Sequence, residues 1–142
     1  YYWVDIIEGA DAKSFELLDD YYARDKFRVY CGESPIEGAD VKSFEYLQYA
    51  FCKDKNNVYL GSDCLCPFTP DFKILAPHKA VDNQYYYSGN DAEPIAIDTD
   101  SFQLIDDDYA KDANQIICRG KVIAGADPAS FERVNQFFNR DK

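Results

Sequence analysis

A twelve-residue segment occurs twice in this chain with only two changes, as IEGADAKSFELL at 7–18 and IEGADVKSFEYL at 36–47. Weaker copies of its Asp-x-x-Ser-Phe part lie at 98–102 and 127–131, and a degenerate copy lies at 68–72. The closing phenylalanines are spaced by 29, 28, 30 and 29 residues: Phe15, Phe44, Phe72, Phe102 and Phe131. A constant period of this length indicates a tandem repeat architecture.

A second block keeps the same period and indicates strands. Its aspartates are Asp25, Asp54, Asp82, Asp112 and Asp141. After each of the first four comes a pair of β-type residues, such as Val58-Tyr59, then a glycine and one aliphatic position. Asp followed by polar residues, and Gly-Ser-Asp at 61–63, are typical of turns between short strands.

The Asp-x-x-Ser-Phe segment predicts a short helix. Asp11, Asp40 and Asp127 are favourable N-cap residues, and Pro128 suits a first helical position. Phe15, Phe44, Phe102 and Phe131 are expected in the core. The predicted fold class is therefore α+β, mainly β, in which each 29-residue unit is a short helix plus two to three antiparallel strands, and all units share one continuous core.

These units make up one repeat domain over 1–142. We place the boundaries at 7–35, 36–64, 65–94, 95–122 and a partial unit at 123–142. The chain opens on YYWVD and holds no Met, so we expect it to be a trimmed product. Tyr1 aligns with Tyr30, so both ends are expected to cut through a repeat unit.

The net charge of -11 defines the class of partner. Nucleic acids and anionic membranes are recognised by Lys and Arg, so we expect neither as a partner, whereas a basic protein is electrostatically suited. No apolar run reaches the length of a membrane-spanning segment.

The string Lys53-Asp-Lys-Asn-Asn-Val-Tyr59, with Gly-Ala-Asp and Ser-Phe-Glu at fixed distances, resembles the bacterial DKNYY repeat. The resemblance runs through the whole chain and weakens between 64 and 97. It implies a repeat protein with neither catalytic residues nor a cofactor. Some family members are associated with the cell envelope and others with loci of toxin and immunity genes, so the resemblance favours the bacterial periplasm or cell envelope over the cytoplasm.

Candidate chemistry is sparse. His78 is the single histidine, and we expect it in a loop rather than paired with a cysteine nucleophile. Cys64-Leu-Cys66 provides half of a zinc site at most, so we expect no metal. The five cysteines are interpreted mainly as small packed side chains, with one disulfide as the alternative. We therefore expect a protein that is not an enzyme and has no cofactor.

Acidic residues are concentrated between Asp82 and Ala110, where eight carboxylates occur without a Lys or Arg. A solvated face is the simplest interpretation of such a run, and a docking surface for a basic protein is the functional one. The predicted partner-binding residues are Asp91, Glu93, Asp106, Asp107, Asp108, Tyr85 and Tyr87, in which tyrosines would supply contact area.

Two functional hypotheses follow. The first is a non-enzymatic binding protein, in its sharpest form an immunity protein that neutralises a bacterial toxin through an acidic surface. The alternative is a structural or adhesive repeat module of the cell envelope. The toxicity of a neighbouring gene would favour the first, and many further repeat units in the full gene would favour the second.

Overall fold

The computed structural model describes residues 7–89 and 93–131. Within these residues it contains sixteen short strands and no helix. The strands form four antiparallel sheets of four strands each. The first sheet holds β1 (Glu16–Leu17), β2 (Tyr22–Arg24), β3 (Val29–Cys31) and β4 (Ser34–Pro35); the second holds β5 (Glu45–Gln48), β6 (Phe51–Lys53), β7 (Asn57–Leu60) and β8 (Asp63–Pro67). The third holds β9 (Lys73–Ala76), β10 (Lys79–Val81), β11 (Tyr85–Ser88) and β12 (Ile95–Ala96); the fourth holds β13 (Gln103–Leu104), β14 (Tyr109–Lys111), β15 (Ile116–Cys118) and β16 (Lys121–Val122).

Each sheet is a meander, because the strands within it are paired in the order in which they follow one another in the chain. Two-residue connections close several hairpins, as between Cys31 and Ser34. The loop between Gln48 and Phe51 has positive φ at both Tyr49 (51°) and Ala50 (65°). That pattern belongs to the type I′ turn, which normally takes Asn-Gly, so two residues with side chains carry backbone strain there.

The sheets bury both of their faces, which explains the paired apolar residues of the third strands. In β7, Val58 and Leu60 pack in one cluster with Phe51 of the same sheet and Tyr87 of the following sheet. Tyr59, which lies between them on the opposite face, packs toward the preceding sheet. A strand that is covered on both sides has no solvent face, so polar alternation is absent from its sequence.

The buried residues form three clusters, one at each junction between neighbouring sheets. The first junction contains Tyr22, Phe44 and Tyr59, with ring centroids 6.3 Å apart for Tyr22 and Phe44 and 5.6 Å apart for Phe44 and Tyr59. At the third junction Tyr86 and Phe102 rings lie 5.2 Å apart. Core formation thus involves adjacent units, as in other repeat proteins.

The prediction of a short helix in each unit is wrong. Asp11 accepts hydrogen bonds from the backbone N–H (3.2 Å) and the hydroxyl (2.6 Å) of Ser14, which closes a single turn. The Ser14 hydroxyl oxygen also accepts from the N–H of Lys26 at 3.0 Å, so the turn is tied to the next connection and the chain enters β1. Each unit is consequently a turn plus four strands, and the fold of the described residues is all-β.

The other residues that the sequence predicts to be structural lie in similar turns or pack against neighbouring rings. Asp40 repeats the contact with Ser43 (3.1 and 2.5 Å), and Asp127 accepts from the N–H of Ala129 at 3.0 Å. Phe44 is buried, whereas Phe15, Phe102 and Phe131 are half-buried. Phe15 contacts the ring of Tyr30 and Phe131 that of Tyr109. No helix in the described ranges is long and apolar enough to cross a membrane.

Candidate functional site

A buried aspartate with the same hydrogen-bond pattern recurs in each of the four sheets. We call Asp25, Asp54, Asp82 and Asp112 the hub aspartates. One carboxylate oxygen of each accepts the N–H groups two and three residues later, at 2.7–3.0 Å. These bonds fix the turn between the second and third strands of each sheet.

The other oxygen of the hub aspartate ties the turn to two further segments. Asp54 accepts there from the phenol of Tyr59 (2.8 Å) and from the N–H of Asp40 (2.8 Å), fourteen residues earlier. The same pair of bonds occurs at Asp25. In the fourth sheet Ile117 replaces the tyrosine, and the amide of Gln115 donates to Asp112 instead, at 3.1 Å. The spacing of Asp and Tyr in the repeat is thus the spacing of a hydrogen-bonded hub.

The hub aspartates are expected to make stability depend on pH. Burial disfavours the charged form of Asp25, but donors from Asp11, Phe27, Arg28 and Tyr30 outweigh it and lower its pKa to about 2. A carboxyl whose pKa is lower in the folded state stabilises the fold above its unfolded pKa, near 4, and loses that contribution as pH falls toward 2.

The same balance lowers the pKa of Asp54 and of Asp112, so several sites act together. Melting temperatures measured between pH 6 and pH 2 should therefore be constant down to about pH 4 and fall steeply below it. A melting temperature that is unchanged between pH 4 and pH 2 would contradict this role of the hubs.

The connections of the sheets divide the surface into two edges. Because a meander reverses at each turn, the first and third connections of every sheet lie at one end. We call these connections, together with the strand residues that adjoin them, the tip edge. The hub turns and the Asp-x-x-Ser turns lie at the other end, the base edge. The phenol of Tyr22 donates to the carbonyls of Ala50 (2.8 Å) and Gly61 (3.3 Å), which places the tips of the first two sheets side by side.

Charge is unevenly divided between these edges. Of the described residues, the tip edge has three cations, Lys79, Arg119 and Lys121, against eight carboxylates: Asp19, Asp20, Glu33, Asp63, Glu93, Asp106, Asp107 and Asp108. Elsewhere fourteen carboxylates occur with nine Lys or Arg side chains, but four of those carboxylates are the buried hub aspartates. The solvent-facing surface away from the tip edge is therefore nearly neutral.

The acidic residues singled out from the sequence have different environments. Glu93 is exposed in the connection before β12, and Asp91 lies outside the described residues. The side chain of Asp107 is 97% exposed and lies 4.0 Å from Lys79. Asp106 accepts from the N–H groups of Asp108 and Tyr109 and so shapes the turn, and Asp108 pairs with Arg119 at 2.9 Å.

The tyrosines of β11 are separated from these acids. Tyr85 is 37% exposed but lies at the base edge, at the start of the strand. Tyr87 is buried, and its phenol donates to Asp82 at 2.6 Å. The exposed aromatic residues of the tip edge are Tyr21 (72%) and Tyr49 (49%), which the sequence did not single out because their position depends on the meander.

Metal-ligating side chains and cysteines were the other candidates for chemistry. No group of three or more His, Cys, Asp or Glu side chains there is arranged to hold a metal ion. The five cysteines are free thiols. Burial raises the pKa of Cys52 to about 12 and that of Cys66 to about 11, so both are protonated packing side chains at neutral pH.

Stacked four-stranded meanders with a repeated hub define a tandem β-repeat protein. The chain belongs to the DKNYY family, whose model matches residues 1–37 and 28–142. Searches of the curated proteins and of the solved structures each gave no match.

Proposed function

We propose that this DKNYY repeat protein is a non-enzymatic binding protein whose tip edge docks on a basic protein. The observation that carries the proposal is the charge asymmetry, eight carboxylates against three cations at one edge of the described fold. Such a surface accelerates association with a cationic partner and disfavours other partners. Tyr21 and Tyr49 add exposed aromatic area beside it, and aromatic residues are common in binding hot spots.

The sharpest form of the proposal is an immunity protein of the bacterial periplasm or cell envelope, which covers a basic toxin. The backbone of Tyr49 supports a binding role, since strained residues with positive φ are often found at functional surfaces. The toxin would be encoded beside this chain. Co-expression of each neighbouring gene with and without the protein tests this, because only a neutralised toxin restores growth.

Charge reversal at the tip edge tests the surface itself. The double variant Asp20→Lys and Asp107→Lys changes two exposed carboxylates that make few internal contacts. We expect association with the basic partner to slow by about tenfold at low salt, while the melting temperature stays within a few degrees of the wild type. Stopped-flow or surface binding kinetics at two salt concentrations would measure this.

The matched control is the double variant Glu8→Lys and Glu37→Lys, two exposed carboxylates of the base edge that lie away from the third junction. It alters the net charge in the same sense but away from the tip edge. If the control slows association as strongly as the tip variant, net charge rather than a docking surface is responsible. If the tip variant protects cells from the toxin as well as the wild type does, the tip edge is not the interface.

A structural or adhesive module of the cell envelope is the second candidate. It is favoured by the repeated junctions, since each sheet is covered by its neighbours through the same columns of aromatic and aliphatic residues. A stack of this kind lengthens by adding units. The absence of any toxic neighbouring gene, together with many more units in the full gene, would favour this candidate.

A further inference from the structure

At the base edge, the repeat uses its own cations to bridge neighbouring units. The guanidinium of Arg24 donates to the carbonyl of Val41 in the next unit at 3.3 Å. The ammonium of Lys111 likewise donates to a carbonyl of the next unit, that of Pro128, which is equivalent to Val41, at 3.2 Å. At the second junction Lys53 lies over the ring of Phe68, 4.5 Å from its centroid. A cationic side chain thus lies at the groove in each of these three places, although Lys53 and Lys111 line cavities of about 340 and 300 Å³ rather than filling them.

The third junction lacks this cation. The residue at the position of Arg24 is Val81, and in the described part of the chain no side chain donates to the equivalent carbonyl, that of Thr99. A cavity of about 230 Å³ lies there. Its charged lining residues are Asp71, Asp82 and Lys73, Thr99 is a further polar one, and its apolar lining includes Val81 and Phe102.

The charges around this cavity are also unpaired. In the first sheet Glu16 faces Arg24 across the strands and pairs with it at 3.0 Å. In the third sheet Lys73 faces Val81 instead. Neither Lys73 nor Asp71 has an ion pair among the described residues, and both are exposed, so the Lys73 side chain is free to turn toward solvent.

Asp82 also has fewer hydrogen-bond donors within the described part of the chain than the hub aspartates Asp25 and Asp54. Its second carboxylate oxygen accepts from Tyr87, but the N–H group fourteen residues earlier, that of Phe68, donates to the carbonyl of Asn56 at 2.8 Å. The described residues therefore provide that oxygen with one donor fewer than at Asp25 or Asp54. The cavity presents oxygen acceptors and an aromatic ring where the other junctions hold a cation.

We propose that the cavity at the third junction receives an arginine or lysine side chain of a partner protein. The methylene stem would lie on Val81 and Phe102, and the charged end would bind the Thr99 carbonyl and the carboxylates, as Arg24 binds Val41 within the chain. The inference rests on the proposed function only for the basic character of the partner, and it concerns the base edge rather than the tip edge.

The probe is N-acetyl-arginine amide, and N-acetyl-norleucine amide is the neutral control with a similar stem. Titration of the isotope-labelled protein is expected to shift the amide resonances around Val81, Thr99 and Phe102 with arginine and not with norleucine. Equal shifts with norleucine would indicate an apolar cavity, and no shift with either probe at millimolar concentration would rule out the site. Because no partner is needed, the result is independent of the tip edge.

Three variants sharpen the test. Val81→Arg restores the repeat pattern and should abolish probe binding while raising the melting temperature by about 2 to 4 °C, since the cavity is filled from within. Lys73→Ala removes a repelling charge and should tighten binding about twofold to fivefold, whereas Asp71→Asn should weaken it by a similar factor. Both of these residues are exposed, so those variants are expected to fold. Weaker arginine binding by Lys73→Ala would overturn the proposal.

Discussion

Replacing Asp54 with alanine is expected to destabilise the fold by about 4 kcal/mol, because it removes the acceptor of several buried donors at once. The N–H groups of Asp40, Asn56 and Asn57 and the phenol of Tyr59 all donate to this carboxylate. Asp54 itself is 2% exposed, so water cannot replace the lost acceptor without local opening. Urea unfolding followed by circular dichroism would measure the change in the free energy of unfolding.

Two further variants distinguish the loss of the hub hydrogen bonds from the loss of a negative charge. Tyr59→Phe removes one donor and leaves the others paired, so it should cost only about 1 to 2 kcal/mol. Asp100→Asn, at an exposed aspartate of another turn, should be close to neutral. If the alanine variant at Asp54 were no less stable than the Tyr59 variant, the carboxylate would not be the organising group of the turn.

The second large effect is expected at Phe44, whose replacement by alanine should cost about 3 to 5 kcal/mol. Phe44 is 3% exposed and packs between the rings of Tyr22 and Tyr59, which belong to different sheets. The cavity left behind therefore weakens the junction between two units. Thermal and urea unfolding would both report the loss.

Phe15→Ala is the matched control, since Phe15 has the same place in its repeat but is half-buried. It contacts Tyr30 with ring centroids 6.2 Å apart and should cost clearly less than the Phe44 variant. Equal losses at the two positions would show that the burial of Phe44 at the first junction does not determine how much the free energy of unfolding falls.

The repeat period and the apolar columns could be predicted from the sequence, because covalent spacing and residue type determine them. The helix could not be separated from a turn in the same way. Asp-x-x-Ser-Phe satisfies the preferences of a helix start, yet Ser14 bonds both to Asp11 and to the N–H of Lys26. A single closed turn is too short to continue as a helix, and the hydrogen bond from the N–H of Lys26 to Ser14 ends it.

The candidate site was only partly accessible to sequence reasoning. The acidic run contains Asp107, but it also contains Asp82 and Asp98, which bond to their own turns. The tip edge adds Asp20 and Glu33 from a distant part of the chain, and only the direction of the meander brings them to the same side. An aspartate followed five residues later by a tyrosine was the sequence signal for a hub. The sequence interpretation instead assigned the structural role to the other periodic aspartates, Asp11, Asp40 and Asp127.

The sequential order of the strands in each sheet also bears on how fast the protein folds. Every paired strand lies next to its partner in the chain, and the connections between paired strands are short. Folding rates fall as the mean sequence separation of contacts grows, which makes many sandwiches and barrels slow. Here the separation stays low, so each meander can close locally before it docks on the next. We therefore expect an all-β chain that folds at a speed closer to that of helical bundles.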